Sequence, residues 1–439
     1  MRLHREDLAL AAIVLGTAAS FSLDDPRRRF LAHLVAMAIA GIGWILLARG
    51  EGRRPQAALV AGALLRIWAI ALAPAFSDDV FRYVFEGRVV WSEGLGFPFA
   101  HAPAEAPALG VDPALLDRAW LRINHPELAT IYPPFAQTVF ALAGGLAALT
   151  GTYALYWLKA LLVIADGATT AILHRVAGPR AAIAWWLCPI GLVEVAREGH
   201  ADGLSALGLA VAVFGFAKLR PAAGYGGLVL AALAKLNGLV ALPAALRATR
   251  RGTWVLAGLA LLAVPFLLAG SHAGEGLGAY ASRWRAGDGL FTVLLEVAEL
   301  GLGGDWRRFG TVTLTRHQVA RGLTGVLFLG VMVVSLRRRV AVDAVPERAG
   351  TLIFALLLLA PTFHPWYVLW LVPFALAAPG FRFTPAVLWL VVAAPLLHHP
   401  SWLELVTGRW TDLGWVRFVV HAPALALTSW VLVRRRRVG

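Results

Sequence analysis

SDDVFRYVFEGRVVWSEGLGFPFAHAP, residues 77–103, sets two adjacent carboxylates, Asp78 and Asp79, where an apolar run ends and a polar stretch begins. Ionised groups near hydrocarbon lose their hydration, so an acidic pair at such a boundary is retained for chemistry or ion handling. Arg82 follows about one turn later and Arg88 about two turns further on. If the stretch is helical, Arg82 shares a face with the acidic pair.

Outward from this stretch the chain is overwhelmingly apolar. Its 439 residues are 59% hydrophobic and only 15% charged, which no soluble domain of this size matches. A membrane span needs roughly 20 apolar residues to cross about 30 Å of hydrocarbon, and such windows recur from end to end. The net charge of +14 raises the question of nucleic acid. However, Lys and Arg sit in short knots between apolar runs, as in the loops of a membrane protein, and nucleic-acid binding is not expected. Cys188 is the lone cysteine, so neither an internal disulfide nor a thiolate metal cluster is available. The opening MRLHREDLALAAIVLG resembles a signal peptide and is expected to be retained as the first span.

Apolar segments cover about 8–23, 30–48 and 56–76 before the acidic pair. The knots RGEGRR (49–54), RATRR (247–251), RRR (337–339) and RRRR (434–437) read as cytoplasmic, which puts Asp78 and Asp79 on the opposite face. Arg27, Arg28 and Arg29 then lie on the wrong side, only partly offset by Asp24 and Asp25. Five apolar runs follow, near 131–149, 153–173, 181–197, 203–217 and 225–246. If all five spanned, the basic HRVAGPR (174–180) and KLRP (218–221) would fall outside. The first run opens with Tyr132-Pro133-Pro134, and the last carries Lys235, Asn237 and Gly238 at its centre. Reading these two as broken or re-entrant brings both knots inside, and broken helices are tolerated where they line a cavity. Later spans lie near 253–270, 320–336, 349–362, 366–378, 385–397 and 416–433. The expected fold is one all-α polytopic bundle of about twelve spans plus two partial ones, with outer loops at 77–130 and 271–319 and cytoplasmic termini.

At the candidate site, a carboxylate at a cavity mouth can act as general base toward a hydroxyl. Asp79 is favoured over Asp78 because it stands one turn before Tyr83 and two before Glu86, grouping the polar face with it. Acid beside guanidinium suits transfer between a sugar hydroxyl and a phosphate leaving group. Arg82 and Lys235 are expected to hold that phosphate, since no carboxylate is reserved for Lys235, and Arg88 to pair with Glu86 or reach an anion. In NHPELATIYPPFAQ (124–137), proline fixes a sharp turn, with His125 and Tyr132 as candidate cavity residues. EGHADG (198–203) offers His200 and Asp202; an H-x-D pair without a second His-rich element makes a hydrogen-bonded polar site a better reading than a metal. In PTFHPWYVLW (361–370), Trp and Tyr belong to the interfacial belt and His364 is the candidate. Asp166 reads as a buried structural acid.

Taken in order, SDDVFRYVFEGRV, HPELATIYPPFAQ, EGHADGL and FHPWYVLWLVPF resemble the GT-C superfamily of integral-membrane glycosyltransferases. The likeness is to bacterial mannosyltransferase-like members that use polyprenyl-phosphate sugars, and it covers nearly the whole chain. Phe85-Glu86-Gly87 stands where Trp-Asp-Gly is expected, keeping an aromatic and an acid. The resemblance implies an inverting transfer with no cofactor and at most metal assistance. It also implies an aspartate of the first outer loop as base, here Asp79 with Asp78 beside it. Donor and acceptor would be a polyprenyl-phosphate hexose, commonly mannose, and a glycan or glycolipid. The location would be the bacterial inner membrane, with the site extracytoplasmic. Physical logic runs the same way, because nucleotide sugars are cytoplasmic and the chain carries no dinucleotide fingerprint or P-loop. Two rivals are an O-antigen-type polymerase or ligase, prompted by Arg283, Arg285, Arg307 and Arg308, and a transporter or flippase.

Overall fold

The computed structural model describes residues 4–249, 253–269, 274–309 and 311–436; Arg250, Arg251 and Arg437 of the basic knots lie outside the described residues. Among the described residues the architecture is helical apart from one hairpin, Trp306–Phe309 paired with Val312–Thr315. Five helices among the described residues are long and apolar enough to cross a membrane, including Phe30–Ala48 and Ala154–Trp186. Their outer faces are apolar too: Leu31, Val35, Ile39 and Ile42 are exposed on one, and Val326, Leu329 and Val333 on another. Apolar side chains on both the packed and the outer face make this a helical membrane protein.

The sequence accounts for where the helices start and stop. Pro55, Pro134 and Pro221 each open a helix, where a missing N–H removes nothing the helix uses. Gly151, at φ 67°, ends the Pro134–Thr150 helix in a left-handed turn. The Asp202–Ala217 and Pro221–Lys235 helices approach until a Cβ on Gly215 would lie 2.1 Å from the Gly224 nitrogen. Small residues at such seams let backbones pack without an apolar driving force.

The first three helices, Arg5–Phe21, Phe30–Ala48 and Pro55–Ala71, follow the expected runs closely. At the end of the bundle away from Asp78, Glu6 accepts from the backbone of Gly52 at 3.1 Å and Arg53 at 2.8 Å. A Cβ on Gly52 would sit 2.9 Å from the Arg180 nitrogen, so RGEGRR and HRVAGPR meet there. Arg247 donates to the Leu336 carbonyl at 3.3 Å, joining RATRR to the RRR knot.

Both runs read as partial take distinctive paths. The Pro134–Thr150 helix packs along Asp79–Glu93, and Tyr153 beyond its end lies 4.1 Å below the Arg118 guanidinium. Both of its ends therefore lie against the 77–130 segment. The 225–246 run is a reversal: the chain turns at Leu236, φ 63°, and Asn237–Ala248 doubles back so that Tyr225 donates to the Ala245 carbonyl at 3.0 Å. A non-glycine residue in that region is strained, and such strain collects at functional sites. Leu236 lines the cavity described below.

Other boundaries shift. The 181–197 run is not one helix: it ends at Trp186 and resumes as a wide π-type turn, Gly191–Arg197, because Pro189 cannot continue the ladder. The 366–378 run is a 3₁₀ segment, Pro365–Trp370, followed by Val372–Ala377. Segment 271–319, expected to be an outer loop, contains the apolar helix Leu290–Leu302, which buries Phe291, Leu295 and Ala298. A buried ion pair ties the bundle internally, with Arg66 donating to Asp166 at 3.0 Å.

Candidate active site

Four stretches far apart in sequence enclose a cavity of about 600 Å³. Asp78, Asp79 and Arg82 come from the start of the Asp79–Glu93 helix, and His125 and Tyr132 from the turn before Pro134. Lys235 and Leu236 come from the chain reversal, and His364, Trp366, Tyr367 and Trp370 from the 3₁₀ segment. Arg27, Trp284 and Arg285 also line it.

The two aspartates are not equivalent. Asp78 is the N-cap, exposed, and held by Arg122 at 2.7 Å. Asp79, one residue further, receives the Asn124 amide at 3.2 Å. Burial works against its charged form, but the opposing fields of His200 and Lys235 and the Asn124 hydrogen bond hold its carboxyl below the usual carboxylate range. It remains an ionised acceptor facing the cavity. Burial pushes the nearby His364 imidazole down to about 3, against the pull of Asp79, so it is neutral at physiological pH.

Arg82, expected from the sequence to hold a phosphate, lines the cavity and is also engaged as a strut. It donates to Glu86 at 3.3 Å and to the carbonyls of Asn124, His125 and Leu128 at 3.0, 2.7 and 3.1 Å. The guanidinium fork is thus spent on shaping the 124–128 turn that brings Asn124 to Asp79. Glu86 in turn accepts from Thr130 at 2.9 Å and Gln137 at 2.6 Å. Arg88 also departs from expectation: it pairs with Asp117 at 2.7 Å and the Ala114 carbonyl, away from the cavity. Tyr83 is fully buried behind the wall, its hydroxyl 3.0 Å from that of Tyr132.

EGHADG holds several walls at once. Asp202 bonds Lys235 at 3.2 Å and the Trp370 indole N–H at 2.9 Å, so a carboxylate is reserved for Lys235, contrary to expectation. That carboxylate is remote in sequence, which hid the pairing. The ammonium keeps further donors, sits 4.8 Å from the Tyr132 ring centre and still lines the cavity. His200 is fully buried one layer back, stacked 3.6 Å from Trp366 and 3.1 Å from one Glu194 oxygen, while the other Glu194 oxygen is hydrogen-bonded to His398 at 2.7 Å. His125, at φ 50°, meets Glu127 at 3.2 Å and Trp284 edge-on at 4.6 Å.

The sequence reading missed Arg27, Asn124, Trp284 and Arg285 as wall residues. Arg27 had left a signal, being part of the one basic knot that violated the charge bias. Among the described residues, no group of three His, Cys, Asp or Glu side chains is placed to hold a metal ion. Comparison of the chain with known protein families, curated proteins and solved structures finds no match.

Proposed function

We propose that this chain is an integral-membrane glycosyltransferase of GT-C type, taking a hexose, mannose foremost, from a polyprenyl-phosphate donor. The acceptor is a glycan or glycolipid hydroxyl, and the site faces the extracytoplasmic side of a bacterial inner membrane. The observation that carries the reading is Asp79: an ionised carboxylate in a cavity of about 600 Å³, beside a lysine and a wall of Trp and Tyr rings. Aromatic faces suit the C–H faces of a sugar, and the volume is of the order of a small-ligand site.

In the proposed reaction the acceptor oxygen attacks the anomeric carbon from the face opposite the phosphate. The new C–O bond forms as the sugar–phosphate bond breaks, and the configuration inverts. Asp79 takes the hydroxyl proton and becomes the neutral acid, which solvent then deprotonates. The bonding pair leaves on the polyprenyl phosphate, whose added negative charge Lys235 neutralises.

The direct test supplies the purified protein in nanodiscs with labelled donors. Hexose is expected to transfer from polyprenyl-phosphate mannose or another polyprenyl-phosphate hexose, with inversion, and not from nucleotide sugars. Transfer from a nucleotide sugar alone would overturn the proposal. For Lys235, a charge-assisted hydrogen bond contributes roughly 1.5–3 kcal/mol. Lys235→Gln is therefore expected to weaken binding of polyprenyl phosphate about 10- to 100-fold and leave acceptor KM unchanged. Binding at the wild-type level would reduce Lys235 to a partner of Asp202.

A further inference from the structure

The segment that delivers Asp79 to the cavity, 72–76, has no regular structure, yet buried polar groups hold it from three directions. Lys159, fully buried, points its ammonium at the end of the Pro55–Ala71 helix. It donates to the carbonyls of Ala69, Ile70 and Leu72 at 2.7, 3.2 and 2.7 Å. Glu198, fully buried, accepts from the backbone N–H of Ala75 at 2.9 Å and of Phe76 at 2.8 Å, both through Oε2. Ser401 donates to the Phe76 carbonyl at 2.9 Å. Gly199 closes the arrangement: at φ 79° it lets Val80, the neighbour of Asp79, approach until a Cβ there would lie 2.7 Å from a valine methyl.

Resting on the reading of Asp79 as the base, we infer that Glu198 is a positioning residue that sets where the Asp79 carboxylate stands, acting through the backbone of Ala75 and Phe76; its other oxygen lies 3.7 Å from the buried Arg197, which does not line the cavity. Ala75 and Phe76 line the cavity whereas Glu198 does not, so it touches no substrate. A buried carboxylate raises the free energy unless its oxygens are satisfied. Glu198 is satisfied by two amides that would otherwise be unpaired in an irregular segment. The device has a clear use. General-base catalysis needs the carboxylate within hydrogen-bond reach of its proton, and a misplacement of about 1 Å can cost about 10²-fold in rate. A helix start preceded by an unanchored loop would not hold that tolerance.

The inference turns on reach and not on charge, and two substitutions separate these. Glu198→Asp keeps the charge but is one methylene too short for the amides. It is expected to lower kcat about 10²-fold with donor KM unchanged. Glu198→Gln gives up the charge that faces buried Arg197 at 3.7 Å but places an amide oxygen where Oε2 stands, so kcat per folded molecule is expected to stay within about 5-fold of wild type. The reverse order, or equal turnover in both, overturns the inference. Combined with Asp79→Asn, Glu198→Asp is expected to add no further loss, because it acts only through that carboxylate. Additive losses would place its effect elsewhere. If Asp79→Asn is inactive while Glu198→Asp turns over normally, the positioning role falls alone. If Asp79→Asn is itself fully active, the base assignment falls and the positioning role with it.

Discussion

Asp79→Asn is expected to lower turnover by about 10²–10⁴-fold while leaving the protein folded and able to bind polyprenyl-phosphate donor. The amide is isosteric with the carboxylate and can still accept from the Asn124 amide now 3.2 Å away. What it cannot do is take the acceptor's proton. Asp78→Asn is expected to cost much less, because that carboxylate is exposed and engaged by Arg122 at 2.7 Å. The pH profile supplies an independent arm. The folded-state pKa of Asp79 lies below the ordinary value of about 3.9, since opposing fields outweigh its burial. The base is therefore ionised throughout, and its loss appears only as pH falls through that lowered pKa. Turnover is expected to be level between about pH 5 and 8 on the acidic side. An acid limb near pH 6.5 would assign the proton transfer to an imidazole instead. The His364 imidazole, pushed down to about 3, cannot supply such a limb. Normal turnover in Asp78→Asn, Asp79→Asn and the double variant would move the site elsewhere.

How much of this was legible depends on whether a feature is local. Apolar runs gave the second helix to the residue and the first and third to within five residues at each end, and the charge bias of the knots singled out 131–149 and 225–246. The second doubles back at Leu236, and the first packs along the Asp79–Glu93 helix. The acidic pair, Lys235, His125, Tyr132 and His364 were readable as polar residues at apolar boundaries, and they meet at one cavity. Pairing was not readable, because it is a matter of tertiary distance. Nothing near Lys235 in sequence points to Asp202, and nothing near Arg82 points to the three carbonyls it straps together. Glu198 looked like one of two acids in EGHADG. Its role depends on two backbone amides more than a hundred residues away, and backbone partners leave no mark in composition. Helix Leu290–Leu302 was hidden by the Gly- and Arg-rich stretches that flank it.

The second large effect concerns stability alone. Arg66 and Asp166 are each about 1% exposed, on helices that cross the apolar part of the bundle. Arg66 also donates to the Trp186 carbonyl at 2.6 Å and lies 3.7 Å above the Trp186 ring. One side chain thereby ties the helix leading to Asp79 to the place where Ala154–Trp186 ends. Removing one member of a buried pair leaves the other charged and unsatisfied, which costs about 3–5 kcal/mol. Arg66→Ala is expected to destabilise by about that much, read as a large fall in apparent Tm at fixed scan rate and fixed detergent. Asp166→Ala should fall almost as far, because it strands the guanidinium. The double variant Arg66→Met/Asp166→Leu is the decisive one. With both charges gone, the desolvation penalty disappears and apolar packing replaces the pair, so its Tm is expected to recover most of the loss. In all three, turnover per folded molecule well below Tm should remain near wild type, since neither residue lines the cavity. A double variant as unstable as the singles would mean that the hydrogen bond to the Trp186 carbonyl, rather than the ion pair, holds this end of the bundle. Catalysis lost at full stability would instead place Arg66 in the chemistry.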